Sequence, residues 1–264
     1  LDLMTLYAAD APAGMSAIKE WSADVFYARF TQRLTSALSA PTGEGTLYEV
    51  DLKLRPSGTK GPVAVSFAAF EDYYEREAET WELLALTRAR VVWASSDAFR
   101  ERAEGAIAAA LRRARDPKKT AADVVEMRQL MERERPGKGD WDLKLDPGGL
   151  VDIEFTAQFL QLAHAAAGGP LRQNTGEALV ALREAGLADD GALSRLEAAW
   201  RLEQDLSQLI KVALEDGGDP EAEPKAFKTL LAKAGGVAQF KSLKPKLAKA
   251  KAEARTAYEA VVKG

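Results

Sequence analysis

The chain has 264 residues, 47% of them hydrophobic and 29% charged, with a net charge of −4. That length supports one large domain or two small ones, each with its own core, and the acidic balance argues against a dedicated nucleic-acid binder. There are no cysteines, so disulfides, zinc–thiolate sites and thiol nucleophiles are excluded, and a reducing, cytoplasmic setting is expected. No apolar run approaches the ~20 residues that cross a bilayer as a helix, so no membrane span is expected, and no signal peptide is legible.

The opening run LDLMTLY predicts a buried strand beginning at residue 1, and with it a piece of a longer protein. Residues 10–14 read as a turn. From residue 15 to 38, Ile18, Trp21, Val25 and Ala28 recur at threes and fours, as do Phe26, Phe30 and Leu34, which predicts a long helix with a wide apolar face. Residues 41–45 are a loop. The next stretch, LYEVDLKLR at 47–55, alternates strictly. Tyr48, Val50, Leu52 and Leu54 form one set; Glu49, Asp51, Lys53 and Arg55 form the other. This is the period of a half-buried strand. A polar face with two carboxylates and two cations in a row calls for a solvent-side partner, a metal or a ligand. Pro56, Ser57 and Gly58 end it.

Residues 61–66 predict a short extended piece, with Ser66 capping a helix over 67–86. Residues 89–94 are expected to return as a strand. Beyond residue 95 the pattern is helical: 97–114, 120–134, 150–167, 174–185, 190–214, 222–234 and 242–262. Val124, Met127 and Met131 share a face of the second, and Asp146-Pro147-Gly148-Gly149 makes a tight turn before the third. Leu, Ala and Val recur at threes and fours in the last helices, as in bundle faces. The lysines of 241–251 read as a solvated face, Trp81 and Trp141 as core, and His164 as packing or surface. The expected fold class is α+β, with a small sheet domain at about 1–95 followed by an all-helical bundle at 96–264.

Two carboxylates stand out. If the strands carrying Asp2 and Asp51 are neighbours and both side chains face the same way, they can share a divalent cation. Mg2+ takes oxygen ligands, few of them from protein, together with substrate phosphates, and two such ions can clamp a phosphoryl transfer. The plain alternative makes Asp2 a strand-end charge and pairs Asp51 with Lys53 or Arg55. Asp152 and Glu154 lie two apart on a helix and so point apart; capping, or docking through Lys144 or an arginine of the 1–95 domain, is expected of them.

The run YEVDLKLRPSGTKGPVAVSFAAFEDYYEREAETWELLALTRARVV, the block DLKLDPGGLVDIEFTAQFLQLAHA at 142–165 and LRQNT at 171–175 resemble the glutamine synthetase adenylyltransferases, which are polymerase-β-like nucleotidyltransferases. The resemblance covers roughly residues 1–215. LDLMTLY looks like the end of the family's GG…SDLDL motif. Two related halves make up the family protein, one attaching AMP to glutamine synthetase and one removing it. The wording YEVD…RPSG, EAETWE and GGLVDIEF is similar to the attaching, C-terminal half.

The resemblance implies a truncated nucleotidyltransferase sheet before the bundle, ATP as substrate and Mg2+ or Mn2+ as cofactor. It implies glutamine synthetase and the PII signal protein as partners and glutamine as an effector. Asp2 would be the second carboxylate of the family's D-x-D and Asp51 the third carboxylate, both ligands, with Asp51 also the base for a tyrosine hydroxyl. Arg55, Arg88 and Arg90 are the expected phosphate cations, and Ser57 and Gly58 offer backbone N–H groups. Lys144, Gly148, Gly149, Asp152 and Glu154 are assigned to structure and docking. The removing half, or a non-catalytic module that binds glutamine synthetase or PII, are the rival readings. The chain starts after the family's Gly/Ser turn and the first aspartate of D-x-D, so the expectation for 1–264 alone is little or no activity. Lys53 replaces the family's usual arginine, and Asp146 stands where a small or basic residue is usual.

Overall fold

A computed structural model describes residues 1–8, 21–46, 49–214 and 218–264. The turn expected at 10–14 and the start of the 15–38 helix lie outside them. The structure is mostly helical with a small two-stranded parallel sheet. It divides into two compact units, Leu1–Glu82 and Leu83–Gly264.

In the first unit, β1 (Thr5–Tyr7) and β4 (Ala64–Ser66) pair in parallel, Thr5 with Ala64 and Tyr7 with Ser66. The helix α1 (Ala23–Leu38) packs against β4, and Tyr7 stacks on Tyr27 at 4.7 Å between ring centroids. A two-residue hairpin, β2 (Pro41–Thr42) with β3 (Gly45–Thr46), stands where a loop was expected. Ser66 Oγ accepts the Ala69 N–H and starts α2 (Phe67–Arg76), as its sequence position predicts. Ala64, Val65, Phe67, Phe70 and Tyr74 are buried.

Several sequence expectations need correction here. Leu1–Tyr7 is not buried but exposed or half-exposed. The 47–54 strand reduces to a single bridge residue, Asp51; Leu47 and Tyr48 lie outside the described residues. The 67–86 helix breaks, and α3 (Thr80–Leu86) follows as a separate element. The break is held by Glu82, whose buried carboxylate accepts the Glu79 N–H and the Tyr73 hydroxyl. Trp81 is exposed, not core. Residues 89–94 form no strand.

Among the described residues the second unit is helical: α4 (Asp97–Leu111), α5 (Pro117–Glu134), α6 (Leu150–Ala165), α7 (Thr175–Glu184), α8 (Asp190–Ala213), α9 (Lys225–Ala234) and α10 (Leu243–Val262). Ser96, Asp116, Asn174 and Asp189 each accept a first-turn N–H, and Pro117 sits at the start of α5. Leu202, Leu206, Leu231, Leu243 and Leu247 form one apolar cluster. Trp141 packs against it and stacks on Phe240.

Charge runs through this unit as well. Arg128 of α5, on the face of Val124, is 1% exposed. Its Nε donates to Asp152 of α6, and its Nη2 to the Leu145 carbonyl at 2.9 Å. Asp152, fully buried, also accepts the Gly148 N–H at 2.6 Å and Arg255 Nη1 of α10 at 3.1 Å. Arg255 reaches Glu132 at 2.8 Å. Lys251, expected on a solvated face, is buried instead. Its ammonium donates to the Asp140 and Asp142 carbonyls and to Asp146 Oδ2, each at 2.9 Å. The 140–149 loop is thereby tied to three helices. Gly148 has φ +82°, and a Cβ there would lie 1.8 Å from the Lys251 carbonyl oxygen, so only glycine fits. Glu203 of α8 is fully buried, and neither carboxylate oxygen has a partner among the described residues. Burial pushes its pKa up to about 9 against the pull of Lys251, with Asp152 and Asp146 adding to the rise.

Two outcomes follow. Replacing Asp152→Asn leaves the buried Arg128 with only the half-exposed Glu132, at 3.5 Å, as counter-charge and should cost about 3 kcal/mol in urea unfolding. Glu203 keeps its proton when folded at neutral pH and loses it when unfolded. Its contribution is therefore full below the unfolded pKa near 4.5 and is lost as pH rises toward 9. Stability should fall by up to about 1.4 kcal/mol per pH unit within that window, and the Glu203→Gln variant should lack this slope when unfolding is followed from pH 5 to 9.

Candidate functional site

The acid pair is built by backbone. Asp51 N–H donates to the Leu1 carbonyl at 2.8 Å and Leu3 N–H to the Asp51 carbonyl at 2.9 Å, which makes a parallel bridge between Asp2 and Asp51. The Leu1 nitrogen extends it, donating to the Glu49 carbonyl at 2.6 Å. Directly paired residues on neighbouring strands project to the same side. Two aspartates fifty positions apart in sequence therefore stand side by side.

Asp51 is engaged by Lys53. Oδ1 accepts the Lys53 N–H at 2.7 Å, and Oδ2 meets the Lys53 ammonium at 3.2 Å. These two contacts, the backbone one first, hold its carboxyl below the usual carboxylate range. The Lys53 side chain is 72% exposed, so this ion pair is weak and exchangeable. The plain alternative from sequence is thus present too, in a form that leaves the carboxylate reachable.

Arg55 departs from the alternation. It should share a face with Asp51 and Lys53, yet it is only 6% exposed. Its guanidinium donates to the Pro62 carbonyl at 2.9 Å, to the Gly61 carbonyl at 3.1 Å and to the Leu52 carbonyl. The loop it closes turns at Ser57, φ +60°, the one described non-glycine residue with positive φ. Gly58 does not present a free N–H group in the expected way. Gly58 N–H donates to the Arg55 carbonyl at 2.8 Å. Burial first, then the bond to Glu82, pushes the Tyr73 pKa up to about 12. Tyr73 and Glu82 escaped the sequence reading. Their signal is weak: an acid nine positions after a tyrosine, across a helix break that only the buried carboxylate explains.

The remaining expected residues lie in the second unit. Arg88 pairs with Glu154 of α6 at 3.1 Å. Arg90 is exposed, without an ion pair among the described residues. Asp152 binds Arg128 and Arg255 instead of Lys144. Lys144 is exposed, and its carbonyl accepts the Val151 N–H at 3.2 Å. Gly149 closes the expected turn onto the Asp146 carbonyl at 2.8 Å, and a Cβ there would meet the Leu143 carbonyl oxygen at 2.9 Å.

A bound divalent ion can be tested against this geometry. No cluster of three metal-ligating side chains occurs among the described residues. Two adjacent, reachable carboxylates are nevertheless the usual protein share of a Mg2+ site completed by water and phosphate. The Lys53 ammonium on Asp51 Oδ2 marks where a cation is favourable. Asp2 and Asp51 fit such an ion.

A site of paired carboxylates beside a tight Pro-Ser-Gly loop is compatible with nucleotidyl transfer, and family comparisons agree with that class. Residues 1–106 match the family model for glutamate-ammonia ligase adenylyltransferase. Residues 121–216 match the model for GlnD PII-uridylyltransferase. More particularly, a bifunctional glutamine synthetase adenylyltransferase/adenylyl-removing enzyme of Caulobacter vibrioides is 90% identical over the whole chain, which covers 27% of that protein. Enzymes of the same name from Bradyrhizobium diazoefficiens and Agrobacterium fabrum are 41% and 40% identical, again over the whole chain and 27% of each. The likeness to the glutamine synthetase adenylyltransferases therefore holds along the full 264 residues, while the chain spans about a quarter of those relatives' length. Among the described residues no helix is long and apolar enough to cross a membrane.

The left-handed Ser57 sets one expectation. Ser57→Gly should leave stability within about 0.5 kcal/mol, whereas the β-branched Ser57→Val should lose about 1–2 kcal/mol in urea unfolding.

Proposed function

We propose that this chain carries part of the site that transfers AMP from ATP to a tyrosine hydroxyl of glutamine synthetase, and that it derives from the attaching half of the enzyme. Residues 1–95 then form a truncated polymerase-β-like nucleotidyltransferase domain and 96–264 a helical bundle. The observation that carries this reading is the Asp2–Asp51 bridge, which sets two carboxylates side by side on one face. The names of the relatives and the matched family model support glutamine synthetase as the substrate. In the whole protein, glutamine and the PII signal protein are the proposed regulators, in the cytoplasm.

Asp2 and Asp51 would hold Mg2+ or Mn2+. When bound, the ion supplies charge to offset the phosphates and lowers the pKa of a nearby hydroxyl. The chain's own groups do the rest. The lowered pKa of Asp51 keeps it ionised at neutral pH, which suits a ligand but makes it a weak base; it would accept the proton of a tyrosine, pKa about 10, only from a hydroxyl that the ion had already acidified. The tyrosine oxygen forms a bond to the α-phosphorus, the bond to the β-phosphate oxygen breaks, and pyrophosphate leaves. Lys53 adds a mobile cation at the same edge.

The test is transfer of label from α-labelled ATP to glutamine synthetase by the full-length enzyme, with Asp51→Asn as control. The reading expects loss of at least about 100-fold in rate for the variant. Transfer that persists in Asp51→Asn would contradict the two-acid assignment. Capture of glutamine synthetase without transfer would favour a docking module.

A further inference from the structure

A buried arginine whose donors go only to backbone carbonyls is unusual, because burying a guanidinium is costly unless its N–H groups are satisfied. Arg55 has no acidic partner within ion-pair distance among the described residues. What it does have is a fork spanning the loop: Leu52 on one side, Gly61 and Pro62 on the other. Leu52 follows Asp51 directly, and Pro62 leads into β4. The loop between is crossed tightly, since a Cβ at Gly61 would lie 2.2 Å from the Pro56 carbonyl oxygen. The tip is turned by Ser57 at φ +60°, and the Gly58 N–H closes it onto the Arg55 carbonyl at 2.8 Å.

We propose that Arg55 is a positioning residue for Asp51, fixing the strand end that carries that carboxylate rather than touching the phosphates of ATP. The inference rests on the functional reading above and deepens it. Asp51 is anchored twice, by the bridge to Asp2 on one side and by the Leu52 carbonyl on the other. The bridge sets which way its side chain points. The guanidinium sets how far the chain can swing beyond it. A lysine in this place keeps the charge but not the planar fork, and one ammonium does not reproduce the bonds to both sides of the loop.

The experiment uses the full-length enzyme with Arg55→Lys and, separately, Gly61→Ala, which opens the same loop without altering the guanidinium. Three quantities are read: kcat and KM for ATP in label transfer, and Mn2+ binding without nucleotide, from loss of the free-ion electron paramagnetic resonance signal. Partners that orient a ligand typically contribute about 10–100-fold. Both variants should therefore lose kcat by about that factor and bind Mn2+ more weakly, with KM for ATP within about threefold of wild type. A raised KM with kcat kept would place Arg55 on the phosphates and overturn the proposal. So would unchanged Mn2+ affinity and unchanged kcat per folded molecule, which would leave only a structural role. If wild type itself transfers no label, the functional reading fails, and the Mn2+ comparison still decides whether Arg55 positions Asp51.

Discussion

The parallel pairing of residues 1–3 with 49–51 is the constraint from which the candidate site follows. Side chains on a strand alternate faces, so a shift of one residue would carry Asp51 to the opposite side from Asp2. The register is held by two backbone hydrogen bonds around Asp51 and by the Leu1 nitrogen on the Glu49 carbonyl. Further along the same segment, Thr5–Tyr7 pairs with Ala64–Ser66. Leu1–Tyr7 is thus the common partner of two separate stretches. The intervening residues close into a loop, and Arg55, Gly61 and the left-handed Ser57 are what that closure requires.

The second unit answers a different constraint. Its helices bury leucines and alanines in the ordinary way, yet α5, α6 and α10 also meet through Arg128, Asp152 and Arg255. Such a network adds little net stability over a well-packed apolar contact, but its members tolerate few partners. Asp152 must accept at once from Arg128, Arg255 and Gly148. The Asp-Pro-Gly-Gly turn is fixed by the same carboxylate, because Gly148 lies against the backbone of α10 at Lys251. Docking inside this unit also runs through Arg88 and Glu154, which ties the segment after α3 to α6.

Much of this was legible in the sequence where local rules suffice. Every helix from α4 onward was expected near its observed place, because apolar residues at threes and fours are local signals. The proximity of Asp2 and Asp51 was conditional on their strands being neighbours, and the backbone bridge meets that condition. What failed needed long-range knowledge. Alternation placed Arg55 outward, but three carbonyls drawn together by the loop offered it an inward site. Lys251 belonged to an apparently solvated run, and only the loop carbonyls over α10 account for its burial. A buried Glu82 split a helix whose periodicity continued past the break. The run at 89–94 has β-branched and aromatic residues, but no strand pairs with it, and composition alone does not make a strand.

The central claim is that Asp2 and Asp51 grip the same ion. Anomalous scattering from crystals of the full-length enzyme grown with Mn2+ and an ATP analogue tests it most directly. The account predicts a peak within about 2.0–2.3 Å of carboxylate oxygens from both residues, with the Lys53 ammonium displaced from Asp51. A peak that touches neither aspartate, or a Lys53–Asp51 pair that persists beside bound nucleotide, would contradict it.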